Sequence, residues 1–110
     1  MSINKTIRDA LLPLGVPVMY MVYTGTEQTY ITFFRYNERG TILADDSEQV
    51  TRHSVQVDVW GKGDIESLAE QVKTKLQAVG FIRHSFFENF EQDTKTYHKA
   101  YRFYYDKEAI

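Results

Sequence analysis

The stretch SVQVDVW, Ser54 to Trp60, alternates without a break between two kinds of residue. Successive side chains of a strand point to opposite faces, so Val55, Val57 and Val59 share one face and Gln56, Asp58 and Trp60 the other. A chain that carries such a strand must bring an apolar layer to cover the valines, and that layer follows directly. Beyond GKGD, residues Ile65, Leu68, Ala69, Val72, Leu76 and Val79 fall on one helical stripe. Asp64 is placed to cap this helix, and Gly80 stands where a left-handed turn would end it. The spacing predicts a helix lying on the valine face.

The other elements are read in the same way. Ile3, Ile7, Ala10 and Leu11 mark the buried side of a first helix, capped by Ser2 and stopped by Pro13. VMYMVY (Val18 to Tyr23) and TYITFFRY (Thr29 to Tyr36) read as two strands, expected to form a hairpin across GTEQ. FIRHSFFENF (Phe81 to Phe90) and TYHKAYRFYY (Thr96 to Tyr105) read as two more, joined by the polar turn EQDTK. In the last strand Tyr97, Lys99, Tyr101, Phe103 and Tyr105 share one face, and His98, Ala100, Arg102 and Tyr104 the other. Tyr101 and Phe103 are expected to close the core. Asn37 to Thr51 has no sustained period and carries Asp45, Asp46 and Glu48. It is either a solvated hairpin extension or a functional, mobile loop. The order α-β-β-β-α-β-β predicts an α+β domain over residues 1–110, a mostly antiparallel sheet with two helices packed on one face.

Charge and composition narrow the function. Thirteen Lys and Arg against fifteen Asp and Glu give a net charge of -2, without the clustered basic excess from which nucleic-acid binders draw their affinity. With no cysteine, disulfides, thiolate metal sites and a Cys nucleophile are excluded. The opening MSINKTIRDALLPLG is too polar for a signal peptide and no apolar run approaches bilayer length, which predicts a soluble protein made in a cytoplasm.

No pattern points to catalysis. His53, His84 and His98 sit on separate strands without the spacing of a zinc site and are read as surface residues. DDSE lacks the ligand spacing of a calcium loop, GKGD is too short for a phosphate loop, and no Ser stands in a nucleophile elbow. The expectation is a non-enzyme without cofactor or metal. Two classes remain. One is an aromatic sheet that stacks single-stranded bases, with Arg35 and Arg102 among its rings. The other is a structural subunit whose edges and loops meet neighbours.

Four stretches in order, TYITFFRYNERGTILADDSE, VQVDVWGKGD, VKTKLQAVGF and DTKTYHKAYRFYY, resemble small tail-completion (tail-to-head joining, tail terminator) proteins of siphophages and prophages. The resemblance spans roughly Val18 to Tyr105. It implies a structural virion protein that forms a ring, commonly a hexamer, on the head-proximal end of the tail tube and joins it to the head connector. Its partners would be itself, the tube protein and a head-closure protein. DNA would pass through the lumen without sequence-specific binding, and no enzymatic activity or cofactor is implied. A head-closure or minor neck role is the neighbouring alternative. Arg39, Asp45, Asp46, Glu48, His98, Arg102 and Tyr104 are the candidate assembly-interface residues, taken from loops and edges.

Overall fold

A computed structural model describes residues 2–44 and 47–108. Helix α1 (Ile3–Leu11) runs into a 3-10 turn (Leu12–Leu14), followed by strands β1 (Val18–Tyr20), β2 (Tyr30–Ala44) and β3 (Ser47–Gly61). Helix α2 (Glu66–Ala78) and strands β4 (Ile82–Glu91) and β5 (Thr96–Glu108) complete the chain. The five strands form one sheet in the order β1-β2-β3-β5-β4, antiparallel at every joint except β1 to β2. This is the α+β architecture that the element order predicts.

The helix ends are built as their sequences suggest. Ser2 Oγ accepts the Lys5 amide at 3.1 Å, satisfying one of the amides that the first turn leaves unpaired. Asp64 acts one residue earlier than a formal cap, its Oδ1 accepting the Glu66 amide at 2.9 Å. At the other end of α2, Gly80 takes φ 104°, donates to Gln77 O, and lets the Phe81 amide reach Leu76 O at 3.0 Å. That pair of bonds is a Schellman motif. It delivers Phe81 into the core, where only 2% of it is exposed.

Both helices cover the same side of the sheet. Ile3, Ile7 and Leu11 from α1 and Ala69, Val72 and Leu76 from α2 meet Ile31 and Phe33, the three valines of β3, and Tyr101 and Phe103 of β5 in one cluster. Val55, Val57, Val59 and Phe103 are fully buried. Each such side chain contributes ~1.5–3 kcal/mol relative to leaving it in water. Leu68 packs at the margin of the cluster, while Val79 is exposed.

Two expectations are corrected. β1 and β2 do not form a hairpin: β1 stops at Tyr20 and pairs parallel to β2, with Val18 beside Ile31 and Tyr20 beside Phe33. Met21 at φ 68° turns the chain out of the sheet, a left-handed conformation that ends extended structure in a non-glycine residue. The second correction concerns the segment read as a possible mobile loop between Glu38 and Val50. Apart from Asp45 and Asp46, which lie outside the described residues, it is strand, paired from Asn37 opposite Ser54 to Ala44 opposite Ser47. The reading as a hairpin extension is the one that holds. This long hairpin gives the molecule its elongated form, 52 by 25 by 23 Å.

Candidate interaction surface

The side of the sheet that carries no helix is lined by two sorts of group, rings and hydrogen-bonded polar side chains. It begins with the polar face of β3. Gln56 and Asp58 are 8% and 4% exposed, unusual for side chains on an uncovered face. Their burial comes from neighbours on the same face. Trp60 lies flat on the His98 ring, centroids 3.8 Å apart, and donates its indole N–H to Thr32 Oγ1 at 3.0 Å. His98 Nε2 stands 2.7 Å from Asp58 Oδ1. Gln56 Nε2 donates to the same carboxylate oxygen at 2.8 Å, and Gln56 Oε1 accepts from Arg102 Nε at 3.0 Å. Arg102, Gln56, Asp58 and His98 therefore form one continuous chain across β5 and β3. A buried polar group costs little only when fully bonded, and among the described residues no buried side-chain nitrogen or oxygen lacks a partner.

Two β-bulges add rings to this face. The register slips between Arg35 and Asn37 and again between Arg83 and Ser85, and a bulge re-aims the residue it frees. Tyr36 is turned under the Arg102 guanidinium, 4.7 Å from its ring centroid. His84 is turned onto Tyr104, 4.7 Å between rings. Arg52 covers Tyr104 at 4.4 Å and grips Asp106 through two bonds of 2.8 and 2.9 Å. That grip holds the Asp106 carboxyl below the usual carboxylate range and the Arg52 guanidinium above its own. At the far end of the face Tyr23 stacks on Tyr30, Tyr30 on Trp60, and Phe87 stands edge-on to His98.

The sequence-derived interface residues divide accordingly. His98, Arg102 and Tyr104 come together on this face, along β5. Arg39 stands on the hairpin extension, opposite Arg52 and exposed. Glu48 pairs through its backbone with Leu43 near the hairpin end. Asp45 and Asp46 are outside the described residues. The residues that sequence reading did not include are Gln56, Asp58, Trp60, Tyr36, Arg52 and Asp106. Alternation alone puts the first three on one face; only the β3–β5 register shows that they meet His98 and Arg102. Reading the histidines as surface groups is corrected for two of them. His53 is 7% exposed, held by Arg35 at 3.0 Å and near Glu38 at 3.4 Å, and His98 is half-buried against Asp58. Among the described residues no three His, Asp or Glu side chains gather as a metal site.

The chemistry of this face is that of a prearranged, self-satisfied surface. The Nε of Arg102 and two guanidinium nitrogens of Arg52 are already engaged, and the rings of Tyr104, Tyr36, Trp60 and His98 each have a face covered.

No protein-family model matches the sequence, and no curated protein matches it. A solved structure does: a chain in the virion of a native gene transfer agent (GTA) particle has the same fold, with TM-score 0.68. The match covers 98% of this chain and 96% of that one at 12% sequence identity. At that identity the likeness establishes a shared fold.

Proposed function

We propose that this protein is a structural, non-enzymatic subunit of a phage-like virion, of the tail-completion type. In this reading it forms a ring, a hexamer as in the proteins it resembles, on the head-proximal end of a tail tube and joins that tube to the head connector. The observation that carries it is the fold shared end to end with a chain of a gene transfer agent virion. The resemblance of four sequence stretches to tail-completion proteins points the same way. The surface supports it physically: an aromatic, guanidinium-rich face, with Arg52 paired to Asp106 and Arg102 bonded to Gln56, has the composition of interface cores, where Tyr, Trp and Arg are enriched. The hairpin extension, with Arg39 and Glu48 and with Asp45 and Asp46 in sequence between its strands, is the element that would reach the tube or the head.

Electron microscopy of particles produced without this protein tests the reading. Over-long tails lacking heads are the expected result. Normal tails beside unfilled or leaking heads would assign it to head closure instead, and intact infectious particles would refute a virion role. Replacing Asp45, Asp46 and Glu48 together by Ala should leave folding unchanged and lower the yield of joined particles.

A further inference from the structure

Resting on the ring reading above, we propose that neighbouring copies join edge to edge, β4 of one subunit adding antiparallel to the distal part of β2 of the next. Among the described residues the sheet has two edges without a pairing strand. On one side β4 offers its whole outer edge from Ile82 to Glu91. On the other, β1 covers only Ile31 to Phe33 of β2, so β2 is bare from Phe34 to Ala44. The two bare stretches are similar in length and lie on opposite sides of the sheet.

Natural edges are guarded by bulges, charges, proline, short length or a covering element. β4 carries a bulge at Arg83–Ser85 and the charges of Arg83, Glu88 and Glu91, which leaves the run from Ser85 to Glu91 without a bulge. Proline, short length and a covering element are not among the guards of β4. Phe86 and Phe87, one on each face, are 40% and 45% exposed. Such a strand is a template for another strand, and the direction of pairing follows from the topology. β4 runs antiparallel to β5, β5 to β3 and β3 to β2, so β4 is antiparallel to β2. Rotation about an axis at an acute angle to the strands keeps the sense of each strand along that axis, and β4 then meets the next copy's β2 in the antiparallel sense. Two different edges make the contact heterologous, the kind that builds rings rather than twofold dimers.

β1 sets the offset. Through the ladders Ile82 lies level with Tyr104, Ser54 and Asn37, while Phe90 lies level with Tyr97 and Gly61. At equal height β4 would therefore run into the stretch of β2 that β1 occupies. The copy that contributes β4 must shift toward the hairpin end of the copy that contributes β2 by roughly six residues, about 20 Å at ~3.3 Å per residue. A fixed shift at each joint is what tilts strands in a closed sheet, and the bulges of β2 at Arg35–Asn37 and Gly40–Ile42 supply curvature.

The chain has no cysteine, so introduced pairs report without background. Opposed residues across the joint share a face; Arg39 faces the helix-free side, as do Ser85, Phe87 and Asn89. Three double variants, Arg39→Cys with Ser85→Cys, Phe87→Cys or Asn89→Cys, cover the permitted registers. Under mild oxidation, in concentrated protein and in purified particles, at least one should give a covalent ladder ending in a closed oligomer on a non-reducing denaturing gel, where each single variant runs as a monomer. A dimer from Phe87→Cys alone would show β4 pairing with itself and overturn the proposal. So would the absence of any ladder in particles that contain the protein. Phe87→Lys, on an exposed site, should keep the melting temperature and abolish self-association; retained association would also overturn it. Intact particles without the protein would sink the virion reading and leave the cross-linking result standing by itself.

Discussion

The Trp60 indole and the His98 imidazole lie 1° from parallel with 3.8 Å between centroids, and Asp58 holds the edge of the same imidazole at 2.7 Å. The ring is thus fixed from its face and its edge together. Asp58 also accepts from Gln56, so Asp58→Ala leaves a buried amide and an imidazole without their acceptor. The expected loss is about 1–3 kcal/mol, read by urea denaturation, with the far-ultraviolet circular dichroism unchanged. Asp58→Asn keeps one acceptor oxygen and should lose less. Equal stability in all three proteins would show that this network contributes nothing.

Phe103 is fully buried, edge-on to Phe81 at 6.1 Å and beside Tyr101 at 5.8 Å. Phe103→Ala should cost ~3–5 kcal/mol. Since ~1 kcal/mol moves the Tm of a domain this size by ~4–8 °C, the melting transition should fall by more than ~10 °C. An unchanged Tm would remove Phe103 from the core.

The inward-facing half of this fold was legible because burial imposes a period. The valines of β3, the stripe of α2 and the pair Tyr101 and Phe103 each repeat at the spacing of their element. The extension of β2 and β3 had no such signal. With Glu38, Arg39 and Arg52 on strands that carry no helix, neither face needs to be apolar, and strand pairing there follows from the hairpin rather than from pattern. The parallel β1 was hidden for a different reason. VMYMVY continues to read as strand through Tyr23, and the positive φ of Met21 is a local conformation that methionine does not advertise. Of the candidate surface, alternation gave the face of His98, Arg102 and Tyr104, whereas their partners Asp58, Gln56 and Arg52 depend on register between strands some forty residues apart or more.

Two ion pairs predict opposite pH limits. Asp106 is held below the usual value of 3.8 mainly by the hydrogen bonds from Arg52, against some loss of solvation. A lowered carboxyl stabilises the fold above its unfolded value, and that stabilisation disappears as pH falls through the lowered one. Lys99 is held above 10.5, first by its bond to Glu66, against partial desolvation, and then by Glu88. Its contribution is complete below the ordinary lysine range and disappears as pH rises past the raised value. Urea midpoints measured across pH should therefore show Arg52→Gln losing stability at neutral pH and rejoining the parent protein in acid. Glu66→Gln should rejoin it only in strong alkali. A constant difference at every pH would mean that neither pair acts through charge.

Gly61 closes β3 where the chain turns toward α2, and a Cβ placed there would come within 2.4 Å of Ile65 Cγ2. Ile65 is itself only 4% exposed, so its branched carbon has little room to retreat. Gly61→Ala should cost about 1–3 kcal/mol by overpacking. Gly63, two residues on, has nothing within 4 Å of such a carbon, and Gly63→Ala should stay within ~0.5 kcal/mol of the parent. Ile65→Ala removes the opposing carbon. In the double variant the added cost of Gly61→Ala should largely vanish, a non-additivity that denaturant unfolding can measure. Additive costs would show that the strain at Gly61 comes from somewhere other than Ile65.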